Sequence, residues 1–429
     1  MKRSTKLLAV LVLTLLVAPT AWATNGDNLI AIGPISRAMG GTGIASPRDA
    51  ISAVFANPAA MCYGPYCPSG EFNFGGTLFV PDIKATFETA DGKVDASSKD
   101  NQYPIPAIGF SVPITEKPRP WRFGLAAYGV SGLGVDYKGT ALDNDDFYNF
   151  GGGVTAPLAS GTYTELQIMK FAPAIAVQAL DNLSVGVAFH INYANLDLGD
   201  GGSNDFGFGF QPGIIYKPTD SLSLGLTYVS EQEVSHSKVT DFDGDGRYDT
   251  LDLAAPQQLG FGMAYEFFGP RLLLAADVKW INWSDAKGYD DFDWDDQWVF
   301  AVGTQWEPVR NLFLRAGYNY GKSPVNAHNG WDGSFGAGGP NDFTKVQGKE
   351  IPTYYYESFR TVGFPAVVEH HITAGIGYSF TSSLEINLGG MYAFKNDVKE
   401  SGTDPLGRDV NIKSELWEYS LDFGLTWRF

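Results

Sequence analysis

Read back from its last residue, the chain alternates strictly: Phe429, Trp427, Leu425, Phe423, Leu421, Tyr419 and Trp417 are large and apolar. Between them stand Arg428, Thr426, Gly424, Asp422, Ser420, Glu418 and Leu416. A period of two is that of a β-strand with one apolar face and one mostly polar face. The apolar face is too long and too aromatic for water, and its aromatics lie near both ends, as in a strand that crosses a bilayer. The competing reading, a core strand of a secreted sandwich, is disfavoured because the pattern recurs along the chain.

About fourteen such segments follow one another from 71–81 to 412–429, an even number. Short connections, such as Leu180-Asp181, Gly269-Pro270 and Thr381-Ser382, alternate with long ones at 82–103, 132–161, 196–205, 235–251, 285–294, 322–365 and 397–411. The expected fold is all-β: a transmembrane antiparallel β-barrel with short periplasmic turns, long extracellular loops and both termini in the periplasm. Leu183, Val185, Val187, Phe189, Ile191 and Tyr193 should face lipid, and Ser184, Gly186, Ala188, His190 and Asn192 the lumen. By the same alternation Phe313, Arg315, Gly317 and Asn319 face inward, as do Asp277 with Lys279, and Glu385 with Asn387, Met391 and Lys395. A charge on the lipid face at the midplane would cost about 2–4 kcal/mol.

The N-terminus differs. Lys2, Arg3 and Lys6 precede an apolar stretch from Leu7 to Val17, and Ala21-Trp22-Ala23 resembles a cleavage site, so residues 1–23 read as a secretory signal peptide. Residues 24–69 hold no strand pattern but two expected short helices, Ala31 to Met39 and Asp49 to Phe55, with Asp49 as a cap. A bore of this size leaks unless blocked. Residues 24–69 are therefore the expected plug, or hatch, of a barrel formed by 70–429.

Composition agrees: 51 glycines and 14% aromatic residues suit close-packed walls and interfacial girdles. A net charge of −18 argues against nucleic acid as a partner. Cys62 and Cys67 are the only cysteines, and in an exported chain so close a pair predicts a disulfide. The 241–252 segment places Asp241, Asp243, Asp245, Asp249 and Asp252 at positions 1, 3, 5, 9 and 12 of a calcium-loop pattern with Gly246 at 6. It lacks the flanking helices, so a structural calcium site and an acidic turn without metal both stay open. No other cofactor is expected.

Asn57-Pro58-Ala59-Ala60-Met61, preceded by Arg37-Ala38-Met39-Gly40-Gly41 and Asp49-Ala50, resembles the hatch signature of the outer-membrane long-chain fatty acid transporters of the FadL type, which include aromatic-hydrocarbon channels. Phe123-Gly124-Leu125, Gly132 to Tyr137, Pro173 to Tyr193 and Pro256 to Ser284 extend the resemblance over nearly the whole mature chain. The cysteine pair is not part of that pattern. The resemblance implies a fourteen-stranded barrel in the Gram-negative outer membrane. Ligand lands among extracellular loops, enters a lumen pocket and leaves sideways at an inward kink of the third strand. Lateral release is physically sensible, since each methylene kept from water is worth about 0.8 kcal/mol.

The glycines Gly132 and Gly134 mark the expected kink, against the alternative of a simple strand end. Asn57 and Pro58 are expected to gate or merely to hold the hatch turn. For a ligand carboxylate the inward cations Arg315, Lys279, Lys395 and Lys170 are candidates, although each could instead pair with a lumen acid. Phe171, Phe313, Met391 and Phe55 are the candidate apolar lining, with Ile51 and Val54. The expected partners are long-chain fatty acids or similar hydrophobic molecules, outer-membrane lipid, lipopolysaccharide and the barrel-assembly machinery, with the chain acting as a monomer. The alternatives are an aromatic-hydrocarbon channel, a lipid hydrolase using His190 or His371, and an adhesin. No G-x-S-x-G elbow supports the hydrolase, and no enzyme is expected.

Overall fold

A strand whose outer face meets lipid must pair along both edges, because no water is available to its backbone groups. The computed structural model, which describes residues 25–99, 102–242 and 246–429, meets that demand by closure. The wall strands are β1 Glu71–Thr89, β2 Tyr103–Thr115, β3 Trp121–Asp136, β4 Tyr163–Leu180, β5 Leu183–Asp197, β6 Ser203–Tyr216 and β7 Leu222–Val229. They continue as β8 Gln258–Phe267, β9 Leu272–Ile281, β10 Gln297–Val309, β11 Leu312–Gly321, β12 His370–Ser379, β13 Leu384–Thr403 and β14 Asp409–Arg428. Each pairs antiparallel with its neighbour in sequence, and β14 pairs with β1 from Glu71–Arg428 to Glu88–Asn411. The result is a closed antiparallel barrel of 14 strands. The signal-peptide expectation lies outside the described residues.

The faces separate as the alternation requires. Phe206, Phe208 and Phe210 on β6 and Trp298, Phe300 and Val302 on β10 are exposed outward. Asp277, Arg315, Asn319, Glu385 and Asn387 point inward and are buried. Two outer-rim stretches with strand-like alternation are not part of the wall. Gln232–Thr240 and Asp249–Ala255 leave the wall and pair with each other as a hairpin. Alternation alone cannot tell a lipid-facing strand from such a hairpin, and the charges of Glu231, Glu233 and Lys238 belong above the bilayer. The 322–369 connection also holds an unexpected helix over the barrel mouth.

The hatch fills the lumen. It contains helix α1 Pro34–Ala38, helix α2 Ala50–Ala56 and a 3-10 turn Pro58–Cys62. Asp49 caps α2, its carboxylate accepting from the Ser52 amide at 2.7 Å. Asn57 caps the 3-10 turn by accepting from the Ala59 amide at 3.1 Å. Ile30, Ile35, Met39, Ile51, Val54 and Met61 are buried. The wall admits this plug because it is smooth where they meet. A Cβ added to Gly213 would sit 2.0 Å from Asn57 Oδ1, one on Gly225 2.3 Å from the Ile44 carbonyl oxygen, and one on Gly317 2.1 Å from the Gly40 amide. A Cβ on Gly303 would lie 2.2 Å from the hatch backbone, and one on Gly186 or Gly262 2.7 or 2.9 Å from it.

Polar contacts then fix the plug. Arg37 donates to Asp422 at 2.8 Å and to Ser420 at 2.7 Å, a fully buried pair whose disruption costs about 3–5 kcal/mol. Asp277 accepts from the Gly43 and Ile44 amides at 2.8 and 3.0 Å. Asn57 Nδ2 donates to the Ile44 and Ile214 carbonyls, both at 3.0 Å, and to Leu226 at 3.3 Å.

The expected disulfide is not formed: both thiols are free. The 3-10 turn carries Cys62 inward, with Sγ 4.0 Å from the Pro120 carbonyl oxygen. Beyond the reversal at Gly64, Cys67 Sγ donates instead to the Met61 carbonyl at 3.3 Å.

Gly213→Val should push the Asn57 turn off the wall while leaving the barrel folded. Ion conductance in planar bilayers is expected to rise with heat-modifiable gel mobility retained; an unchanged conductance would show that the glycine ring does not hold the seal.

Candidate functional site

Three spaces follow one another from the outer face into the lumen. The outermost is an apolar groove of about 270 Å³ among the extracellular loops. The helix α3 Thr353–Val362 supplies Tyr355, Tyr356 and Phe359, and the 282–296 loop supplies Phe292. Phe292 stacks on Tyr356 at 6.1 Å and on Phe359 at 5.5 Å between ring centroids. Pro157, Leu198, Phe242 and Ile351 add apolar surface, and Ser160, Thr240 and Asp241 a polar edge. The sequence carried a signal for it, the run Tyr354-Tyr355-Tyr356, which the strand-based reading passed over as loop.

A polar cluster braces this canopy. His328 stands between Asp293, 2.8 Å from Nε2, and Glu357, 2.9 Å from Nδ1. Arg360 bridges Glu357 and Glu400 at 3.3 and 3.0 Å, so the 282–296 loop, α3 and β13 share one network. The bond to Glu357 holds the His328 imidazole above its ordinary value, and the bond to His328 holds the Asp293 carboxyl below its own.

The second space is a lumen cavity of about 70 Å³. α2 brings Phe55 edge-on to Tyr128 of β3, with centroids 5.5 Å apart. Leu29, Val130 and Ile281 add apolar surface; Lys170 of β4, His190 of β5, Gln211 of β6 and Lys279 of β9 add polar ends. Gln211 is committed to the Phe55 carbonyl at 3.0 Å and to Thr227 at 3.0 Å. His190 is buried with neither ring nitrogen hydrogen-bonded. No hydrogen bond or ion pair to Lys170 or Lys279 occurs among the described residues. Asp277, the nearest acid in sequence to Lys279, accepts both hatch amides on Oδ2, and its Oδ1 has no hydrogen-bond partner among the described residues.

The third space lies against β3. The β2–β3 ladder stops at Ala107–Tyr128, while β2 stays paired with β1 up to Tyr103. A bulge between Gly129 and Ser131 interrupts the register with β4. The upper part of β3 is therefore paired on one side only, and the hatch residue Asn28 bridges to Ser131. A cavity of about 20 Å³ opens there, lined by Leu29, Phe79, Pro81, Gly132, Gly134 and Leu416 among others. The two glycines differ. A Cβ on Gly132 would meet nothing within 4 Å, whereas one on Gly134 would lie 2.4 Å from the Thr164 carbonyl oxygen. Gly132 borders open space, and Gly134 is required by close strand packing.

Of the candidate residues, Lys279, Lys170 and Phe55 come together in the lumen cavity. Arg315 does not join them. It donates to Gln305 at 2.7 Å and Asn387 at 2.6 Å, stands 3.6 Å from Glu385 and stacks on Phe313. Met391 is buried in the core between hatch and wall. Lys395 is on the wrong face: a bulge between Ala393 and Asn396 flips the alternation, and its amine pairs with Glu415 at 2.9 Å on the outside. Phe171 also points outward, 43% exposed, since adjacent strand residues face opposite ways and Lys170 takes the inside.

In the 241–252 segment the described aspartates are engaged by partners within the protein. Asp249 is bound by Lys349 at 2.6 Å and Asp252 by Lys287 at 2.5 Å, and both lie on one strand three residues apart, hence on opposite faces. Asp241 accepts from the Gly246 amide at 2.8 Å; Asp243 and Asp245 lie outside the described residues.

A sealed fourteen-stranded barrel with an apolar groove outside, a small amphipathic cavity inside and a side gap in its wall defines a hatch-closed outer-membrane channel. The chain belongs to the family of outer membrane protein transport proteins (OMPP1/FadL/TodX), whose pattern matches residues 15–203 and 199–330. It is 21% identical to the long-chain fatty acid transport protein of Escherichia coli O6:H1 (strain CFT073), with 97% of each chain covered. The crystal structure of the toluene transporter TodX of P. putida superposes with a TM-score of 0.64 at 20% identity, covering 93% of this chain and 99% of that one. A Pseudomonas aeruginosa FadL homologue gives 0.66 at 15% identity, covering 94% and 99%. The chain is accordingly a protein of the Gram-negative outer membrane.

The brace around His328 should be pH-dependent. A histidine raised on folding stabilises most fully below its unfolded value, near 6.5, and that stabilisation is lost as pH rises through the higher folded value. Protease protection of the 322–369 loop is expected to fall as pH is raised above neutrality, and His328→Gln should abolish the dependence.

Proposed function

We propose that the chain is a passive channel for acidic amphiphiles with long alkyl tails, fatty acids foremost. The observation that carries this reading is the pair of lumen-cavity lysines that make no hydrogen bond or ion pair among the described residues, with the single acid Asp277 near Lys279. A cation enclosed away from water is costly unless a counter-charge arrives, and a carboxylate supplies one. A hydrocarbon does not. The lining of Phe55, Tyr128, Leu29 and Val130 suits the first methylenes beyond such a head group.

The cavity, at about 70 Å³, is far below the roughly 300–1,000 Å³ of common ligand pockets. A whole alkyl chain therefore needs the hatch to shift. The extracellular groove would take ligand first, driven by burial of the tail against Phe292, Tyr356 and Phe359, and the gap beside Gly132 would release it into the bilayer. Lateral release keeps the tail out of water at every stage. Aromatic hydrocarbons are the second reading, favoured by the stacked rings of the outer groove.

Replacing both Lys170 and Lys279 by Met should weaken oleate binding to detergent-purified protein by at least about tenfold, as expected for a buried charge losing its partner, and leave toluene binding unaltered. Equal oleate affinity in the variant would turn the assignment toward hydrocarbons. Separately, Gly132→Val, for which the wall has room, should slow oleate uptake by cells without changing oleate affinity.

A further inference from the structure

The lumen cavity and the side cavity are divided by one short stretch of chain, residues 25–29. Asn25, Asn28 and Leu29 line the first space; Gly26, Asp27 and Leu29 line the second. Three contacts hold this partition. The Leu29 amide donates to the Val130 carbonyl at 3.3 Å. Gly26 lies flat on the Trp283 indole, where a Cβ would come within 2.5 Å of the ring. The Asp27 carboxylate, 9% exposed, accepts from the Ser131 hydroxyl at 3.2 Å and from the Tyr289 hydroxyl. No cation pairs with Asp27 among the described residues. Those two hydroxyls are its side-chain partners, one on the interrupted strand β3 and one on the 282–296 loop.

Tyr289 connects this point to the outer groove. It sits in the same turn as Phe292, whose amide donates to the Tyr289 carbonyl at 3.2 Å. Phe292 lines the groove on one side, and on the other Phe292, Tyr289 and Trp294 border a further small void of about 20 Å³. Ligand rings or tails inserted into the groove would compete with Tyr356 and Phe359 for the face of Phe292. A shift of that turn would move the Tyr289 hydroxyl away from Asp27.

We propose that Asp27 is a gate-positioning residue: its bonds to Ser131 and Tyr289 keep residues 25–29 as a closed partition, and occupation of the outer groove opens it through Phe292 and Tyr289. The inference rests on the channel reading above, since it couples capture to lateral release. It assigns to the 282–296 loop a regulatory part beyond lining the groove, and it makes the wall gap accessible only when ligand waits outside.

The test reports on the side cavity directly. Gly132→Cys, introduced with Cys62→Ser and Cys67→Ser, places one thiol in the space beside β3, where no atom lies within 4 Å of its Cβ. In detergent micelles the parent should label slowly with a maleimide, and oleate should accelerate it. Tyr289→Phe and, independently, Asp27→Ala should label about tenfold faster without oleate, the effect of one lost bond to a buried carboxylate. Phe292→Ala should lose the acceleration by oleate. If oleate binds but Tyr289→Phe and Asp27→Ala both label at the parent's rate, the gate is wrong and the channel reading stands. If the parent binds no oleate, the fatty-acid reading fails and so does the coupling, whereas faster basal labelling of the two variants would still establish the latch.

Discussion

Everything in this molecule depends on backbone meeting backbone without side chains between. A barrel of fourteen strands leaves a bore wider than its own side chains can fill. The hatch must then touch the wall around its circumference. It does so because Gly186, Gly213, Gly225, Gly262, Gly303 and Gly317 present no Cβ at the level where Met39 to Ala59 pass. Polar atoms gain by the same closeness: the Gly43 and Ile44 amides reach Asp277, and Asn57 reaches carbonyls of both β6 and β7. Dispersion contacts and hydrogen bonds weaken steeply with distance, so a wall of alanines would lose both at once.

The second constraint is charge. Lipid excludes it from the outer face, so at the level of the hatch the ionisable wall residues are turned inward and several find a partner there. Arg37 with Asp422, Arg315 with Glu385, and Arg428 with Glu71 and Glu385 do so. Against this background the two lysines of the lumen cavity stand out, because they line it without a hydrogen bond or ion pair among the described residues.

Legibility differed sharply between fold and site. The alternation from Glu71 to Phe429 marked the wall strands, since a two-residue period admits one placement relative to lipid. The hatch motif marked the plug and the glycines marked the interrupted strand. Errors arose where local pattern is blind to register. Lys395 looked inward until a bulge turned it, and Phe171 and Lys170 were both put forward although neighbours in a strand cannot share a face. Nor could spacing show that Asp249 and Asp252 of the acidic loop pair with lysines distant in sequence.

What the amino-acid order alone determined was the solvent of each face. It specified a chain that hides alternate residues in lipid, begins with a segment unsuited to the wall, and turns its charges inward. Those properties are local, set by side-chain polarity and a backbone period of two. Tertiary structure decided which inward residues remain free. Arg315 and Lys279 are alike by sequence, yet one is consumed by Gln305, Asn387 and Glu385 and the other is left facing a cavity. That choice is made by pairing across strands and by the hatch backbone, contacts hundreds of residues apart that no local pattern encodes.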